Sequence, residues 1–268
     1  VDWFQAFAWS NDLPLPLIAC CIPLAVPQRK FWKLSHFGSI RNFMSSLAQQ
    51  IKAAGLADHI LSERQLGRLL GGGDARRYGL VNRALKDGSL LRVKRGTYLL
   101  GSRYRSETVH PFAIAQSLLP GSYVSFESAL AYHSWIPEAV FVTASVSPGR
   151  KTLHYETPDF GTFDFRPLAI ADYRFLTGVD RIPIGNLTAF VAQPLRALMD
   201  LVALRKQPWT GIDWVIQGMR IEEERLASLR RKDFAKLQSV YKHKAVNAFL
   251  AALESAVLPT RKQSPAHD

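Results

Sequence analysis

The side chains best placed to do chemistry in this chain are cations. Residues 74–95 read DARRYGLVNRALKDGSLLRVKR, which carries Arg76, Arg77, Arg83, Lys86, Arg92, Lys94 and Arg95 around Asn82, against Asp74 and Asp87 alone. So dense a row of fixed positive charge suits a polyanion. Guanidinium and ammonium groups replace the counterions of a phosphate backbone, and a phosphate oxygen accepts charge-assisted hydrogen bonds from both. The acids and nucleophiles make a weaker case. Glu127, Ser128 and His133 lie together in SFESALAYH, but no glycine-rich elbow surrounds Ser128 and no acid can be assigned to orient His133. A buried or capping role fits them better. Asp164 and Arg166 in DFR lack the second carboxylate and the lysine that a nuclease metal site needs. The histidines (His36, His59, His110, His133, His154, His243 and His267) are scattered and show no metal-ligand spacing. GGGD at 71–74 reads as a turn between helices, not as a phosphate-binding loop. The expectation is no catalytic residue, no metal ligand and no cofactor.

The elements that would hold these cations are short. SSLAQQIKAAGLADH, from Ser45, reads as a first helix, with Ser45 or Ser46 as cap and Leu47, Ile51 and Ala54 at helical spacing. In LSERQLGRLLGGG, Ser62 can cap a second helix whose Leu66, Leu69 and Leu70 face inward, and three glycines end it. A third helix opens at Asp74, read as its cap, and stops at Gly88. Its seam is Val81, Ala84 and Leu85, with Arg76, Arg77, Asn82, Arg83 and Lys86 largely off it. Leu90–Lys94 and Thr97–Leu100 then form a hairpin turning at Arg95 and Gly96. Three helices followed by a basic hairpin predict a winged helix-turn-helix, with the third helix in the major groove of double-stranded DNA and the hairpin on adjacent phosphates.

The charge is concentrated where that fold needs it. The 268 residues carry a net +12, and residues 44–105 hold 12 Lys/Arg against 4 Asp/Glu, a local +8. Residues 106–186 are net −3 and residues 187–268 net +5. A basic surface of this kind points to nucleic acid ahead of membrane. Residues 1–43 look like a separate extension without regular structure. LPLPLIACCIPLAVP is apolar but broken by prolines, has no basic start, and fits neither a signal peptide nor a membrane helix. Cys20 and Cys21 are adjacent and build no disulfide framework, so a reducing cytoplasm is expected.

Beyond residue 105 the pattern is mixed. A helix, a short extended run and a second helix capped by Ser125 precede three strands at 140–146, 152–157 and 161–168. From Gln193 it turns helical, first with QPLRALMDLVALR (Leu195, Leu198, Met199 and Val202 on one side), then with two or three further helices. RRKDFAKLQSVYKHK reads as a solvated basic face ahead of a second DNA patch. The fold class expected is α+β: an N-terminal winged helix-turn-helix at 44–105 and a mixed α/β domain at 106–268 that ends in helices.

LKDGSLLRVKRGTYLL, followed by YVSFESALAYHSWIPE and SPGRKTLHYETPDFGTFDFRPL, resembles the AbiEi antitoxin family of type IV toxin–antitoxin systems. The resemblance runs from about Met44 to about Leu253; residues 1–43 have no counterpart in it. It implies a winged helix that represses its own operon and a C-terminal domain that neutralises a nucleotidyltransferase toxin, in a scheme that does not require the two proteins to touch. It assigns the DNA-contact role to Arg76, Arg77, Arg83, Arg92, Lys94 and Arg95. Two other readings compete: a restriction-endonuclease-like enzyme targeted by the winged helix, and a plain transcription factor whose second domain senses a ligand.

Overall fold

A computed structural model describes residues 47–258. The expected extension at 1–43 and the serine cap of the first helix lie outside the described residues. Helix α1 (47–53) buries Leu47, Ala48 and Ile51. Ala54 falls in the turn beyond it and is exposed. A two-residue strand, β1 (Leu61–Ser62), leads into α2 (Glu63–Leu70). Ser62 caps α2 as expected: its hydroxyl accepts from the Gln65 amide while the Gln65 side chain accepts from the Ser62 amide, at 2.8 Å. Helix α3 (Asp74–Lys86) is capped by Gly73 rather than by Asp74. The cap must have extended backbone, which Gly73 has (φ −75°, ψ 161°). Asp74 sits one position inside, where a carboxylate favours the helix dipole.

The hairpin of β2 (Leu90–Lys94) and β3 (Thr97–Leu100) forms as expected, and Gly96 supplies the positive φ of 76° at its turn. With β1 it makes a three-stranded antiparallel sheet of order β1-β3-β2. Side chains alternate across a strand, and here both faces are covered. Leu90, Tyr98 and Leu100 join Ile51, Leu66 and Ala84 in one apolar cluster; Val93 and Leu99 join a second that contains Ile114 and Leu118. The connection that follows is tied down as well. Asp58 Oδ1 accepts from the Ser106 and Glu107 amides at 2.8 and 3.2 Å, and Arg103 donates to the Asp87 carbonyl.

The remainder is α4 (Pro111–Leu118), β4 (Tyr123–Val124), α5 (Phe126–Tyr132), β5 (Val142–Ser147), β6 (Leu153–Thr157), β7 (Gly161–Pro167), β8 (Val179–Ile184), β9 (Leu187–Ala192), α6 (Pro194–Arg205), a π turn at Trp214–Gly218, then α7 (Glu223–Ala227), α8 (Arg231–Leu237) and α9 (Lys244–Val257). The six strands form one mixed sheet, β6-β7-β5-β4-β9-β8. β5–β7 and β4–β9 are parallel, and the other neighbours are antiparallel. The protein is therefore α+β. Among the described residues no helix is long and apolar enough to cross a membrane.

A charged network lies in the core: α6 was expected to bury one apolar side, but every residue from Leu195 to Val202 is buried. Arg196 and Asp200, one turn apart on α6, are both fully buried and paired at 2.9 Å. Asp200 also accepts from Tyr123 and Ser125 on one oxygen and from Tyr241 on the other, at 2.7–2.9 Å. Arg196 donates further to the Thr177 carbonyl and the Tyr123 hydroxyl, both at 2.5 Å. Burial works against its charge, but Asp200 with Tyr241 and Tyr123 outweighs that and raises its pKa. Ser125 occupies the cap position of α5, yet its hydroxyl goes to Asp200 and not to the helix.

Candidate nucleic-acid interface

Helix α3 turns Leu80 and Ala84 into the protein, with Val81 and Leu85 partly covered. The opposite face therefore carries Ala75, Tyr78, Gly79, Asn82 and Lys86, with Arg76 and Arg83, two turns apart, along one border. Arg76, Arg83 and Lys86 are exposed, and so are Arg92 and Arg95 on the hairpin. Among the described residues, Arg76, Lys86, Arg92 and Arg95 have no carboxylate partner. Arg83 folds its Nε onto the Gly79 carbonyl, at 3.1 Å. Asn82 is half-buried and lines a cleft of about 220 Å³ between α2, α3 and the hairpin, together with Tyr78, Arg92 and the acids Glu63 and Asp74.

Two of the expected cations are differently disposed. Arg77 is half-buried and paired with Asp74, and its guanidinium lies against Gly67 of α2 instead of projecting outward. Lys94 points the other way. The strand register shifts between Arg92 and Lys94, and the Lys94 ammonium donates to the Leu118 carbonyl at 2.8 Å. That carbonyl belongs to the last turn of α4, where unpaired oxygens carry the negative end of the helix dipole. Burial lowers the Lys94 pKa. Lys94 is thus held within the protein and does not stand in an outward row with Arg92 and Arg95. A second, wider cleft of about 680 Å³ runs beside Asn82, Lys86 and Arg92, and its far wall is Pro158 and Asp159 of the β6–β7 turn.

The other candidate side chains are placed as follows. Ser128 donates to the Val142 carbonyl and accepts from the Ala144 amide, both at 2.8 Å, so it acts as a short extension of the sheet. His133 bonds the Ala192 carbonyl through Nε2, at 3.0 Å, and burial lowers its pKa. Asp164 has a neighbouring acid that DFR alone does not reveal. His154, opposite it on β6, reaches Asp164 at 2.6 Å and Glu156 at 3.1 Å, and Arg166 donates to the second Asp164 oxygen. Hydrogen bonds to Asp164 and Glu156 raise the His154 pKa. Among the described residues no three His, Cys, Asp or Glu side chains are arranged to hold a metal ion. Sequence reasoning missed Tyr78, whose side chain is 71% exposed at the edge of the α3 face nearest α2. Its position four residues before Asn82 was the available signal.

Compared with known protein families and with curated proteins, the chain matches none.

Proposed function

We propose that this chain is a DNA-binding regulator whose residues 44–105 form a winged helix-turn-helix on double-stranded operator DNA. In this reading α3 enters the major groove and the β2–β3 hairpin is the wing. The observation that carries it is the group of exposed cations, Arg76, Lys86, Arg92 and Arg95, without acid partners among the described residues, on two adjoining elements of a segment with net charge +8. Arg92 and Arg95 supply phosphate contacts, which fix position and affinity. Lys94 supports the wing from behind. Within this class, the resemblance of the wing and of SFESALAYH to the AbiEi family makes the particular protein an antitoxin of a type IV system. It represses its own operon and counteracts a nucleotidyltransferase toxin through residues 106–268.

Titration of a labelled duplex at several salt concentrations tests the first part. Each phosphate contact contributes roughly 0.9 to the slope of log affinity against log salt. Replacing Arg92 and Arg95 together by alanine should flatten that slope by roughly 1.8. An unchanged slope in a folded double variant removes the wing from the DNA. The second part is tested by expressing the chain beside the nucleotidyltransferase-like product of a neighbouring reading frame. Restored growth supports the antitoxin reading, and unrelieved toxicity defeats it.

A further inference from the structure

The geometry points to Tyr78 and Asn82 as the base-reading side chains of α3, and to a DNA half-site with an adenine·thymine pair at the centre of the helix footprint. The inference rests on the DNA-binding reading above and adds the chemistry of what is read.

Several independent features meet on this face. Among the described residues neither the Tyr78 hydroxyl nor the Asn82 carboxamide has a hydrogen-bond partner. A single solvated aromatic is ordinary on a protein surface. This one stands one turn before the Asn82 amide and one turn after the small residue Ala75, and shares its cleft with Arg92. A small exposed residue such as Ala75 lets a helix approach a groove floor closely, and cations at its border hold the flanking strands. Of the two arginines at the start of α3, Arg77 is paired with Asp74, which leaves Arg76.

The donor and acceptor pattern then selects the base. Guanine offers two acceptors to the major groove and is matched by arginine. Adenine offers an acceptor at N7 and a donor at N6, which a carboxamide matches with its own NH₂ and oxygen. Asn82 is the only carboxamide on α3. Thymine presents a methyl group, which an apolar ring surface can cover. Residues four apart on a helix are separated by about 6 Å along its axis, roughly the rise of two base pairs. Tyr78 and Asn82 therefore reach the same short step, Asn82 to adenine and Tyr78 to a thymine methyl in that step.

The test selects binding sites for the full chain from a pool of random-sequence duplexes and compares variants on the recovered duplex. Asn82→Ala should narrow the preference for the selected duplex over its A·T-to-G·C variant by about 5- to 150-fold. Exchanging the contacted thymine for uracil removes only the methyl group. It should weaken the natural chain about fourfold and leave Tyr78→Ala unaffected, while Tyr78→Phe behaves like the natural chain. Circular dichroism and the melting temperature establish that each variant is folded, as expected for changes at an exposed helix face. An unaltered preference in Asn82→Ala, or equal weakening by uracil in the natural chain and Tyr78→Ala, overturns the inference while the salt-dependent binding stands. Failure of the chain to bind any duplex at low salt overturns the DNA-binding reading and the inference together.

Discussion

Replacing Asp200 by asparagine changes little in volume but removes the counter-ion of a fully buried guanidinium. The carboxylate receives four hydrogen bonds, from Arg196, Tyr123, Ser125 and Tyr241. An amide cannot match them, because one of its two ends is itself a donor and would face donors. The hydroxyls can rotate; the Arg196 charge cannot be moved to water, since its side chain is completely enclosed. Breaking a buried pair by removing one partner costs about 3–5 kcal/mol. For a chain of this size each kcal/mol shifts the melting temperature by about 2–4 °C, so Asp200→Asn should lower it by roughly 6–20 °C. Arg196→Met should cost a similar amount. The double variant should lose less than the sum, because the second change relieves the charge stranded by the first, with a coupling of about 0.5–3 kcal/mol. Calorimetry or urea denaturation of the four chains closes the cycle. A loss under about 2 °C in Asp200→Asn, or strictly additive losses, would show that the network does not hold the fold together.

Other consequences are equally measurable. A fragment of residues 44–105 exposes Val93 and Leu99, which are 4% and 0% accessible in the full chain. It should lose about 3–6 kcal/mol of burial and bind a hydrophobic dye, and a fragment with a cooperative melt and full DNA affinity would contradict this. Lys94→Met should alter the melting temperature but not the salt slope, the reverse of Arg92→Ala. Gly101→Ala places a Cβ against the Gly88 carbonyl. It should cost about 1–3 kcal/mol, read as a lowered urea midpoint. Stability should also fall at both ends of the pH scale. Burial lowers the pKa of His110 and His133 from the ordinary 6.5, so their contribution is present above that value and lost as acid protonates the unfolded chain first. Burial, with Asp200, raises Tyr123 and Tyr241 above the ordinary 10.0, so their contribution is present below that value and lost as pH rises past it. A urea midpoint flat across both values would refute the assignment.

Residues 47–105 were largely legible because their signals are local. Ser62 with Gln65, the glycines after Leu70 and the alternation in LLRVKRGTYLL each act within a few positions. The exceptions have clear causes. Gly73 took the cap from Asp74 because only the residue before the first helical turn keeps extended backbone. The orientation of Lys94 depends on a register shift and on a carbonyl 24 residues away, which no local pattern encodes. β8 and β9 both went unread, and in β8 the charged Asp180 and Arg181 with Pro183 leave little apolar pattern. Proline is tolerated there since β8 is the edge of the six-stranded sheet. The Arg196–Asp200 pair had a visible trace, two opposite charges four apart in an apolar helix. Its partners come from distant positions, so its burial was not readable.

The hairpin clad on both faces also limits how such chains can recombine. A DNA-binding module that met its neighbour only through a tether could be exchanged between relatives at the connecting segment. Here Val93 and Leu99 are inserted in the other cluster, and Lys94 is fastened to the end of α4. A crossover near residue 105 would pair one parent's hairpin with the other parent's α4 and leave both surfaces mismatched. The smallest transferable unit therefore extends through Leu118, and the outer face of α3 changes by substitution more readily than whole modules can be swapped.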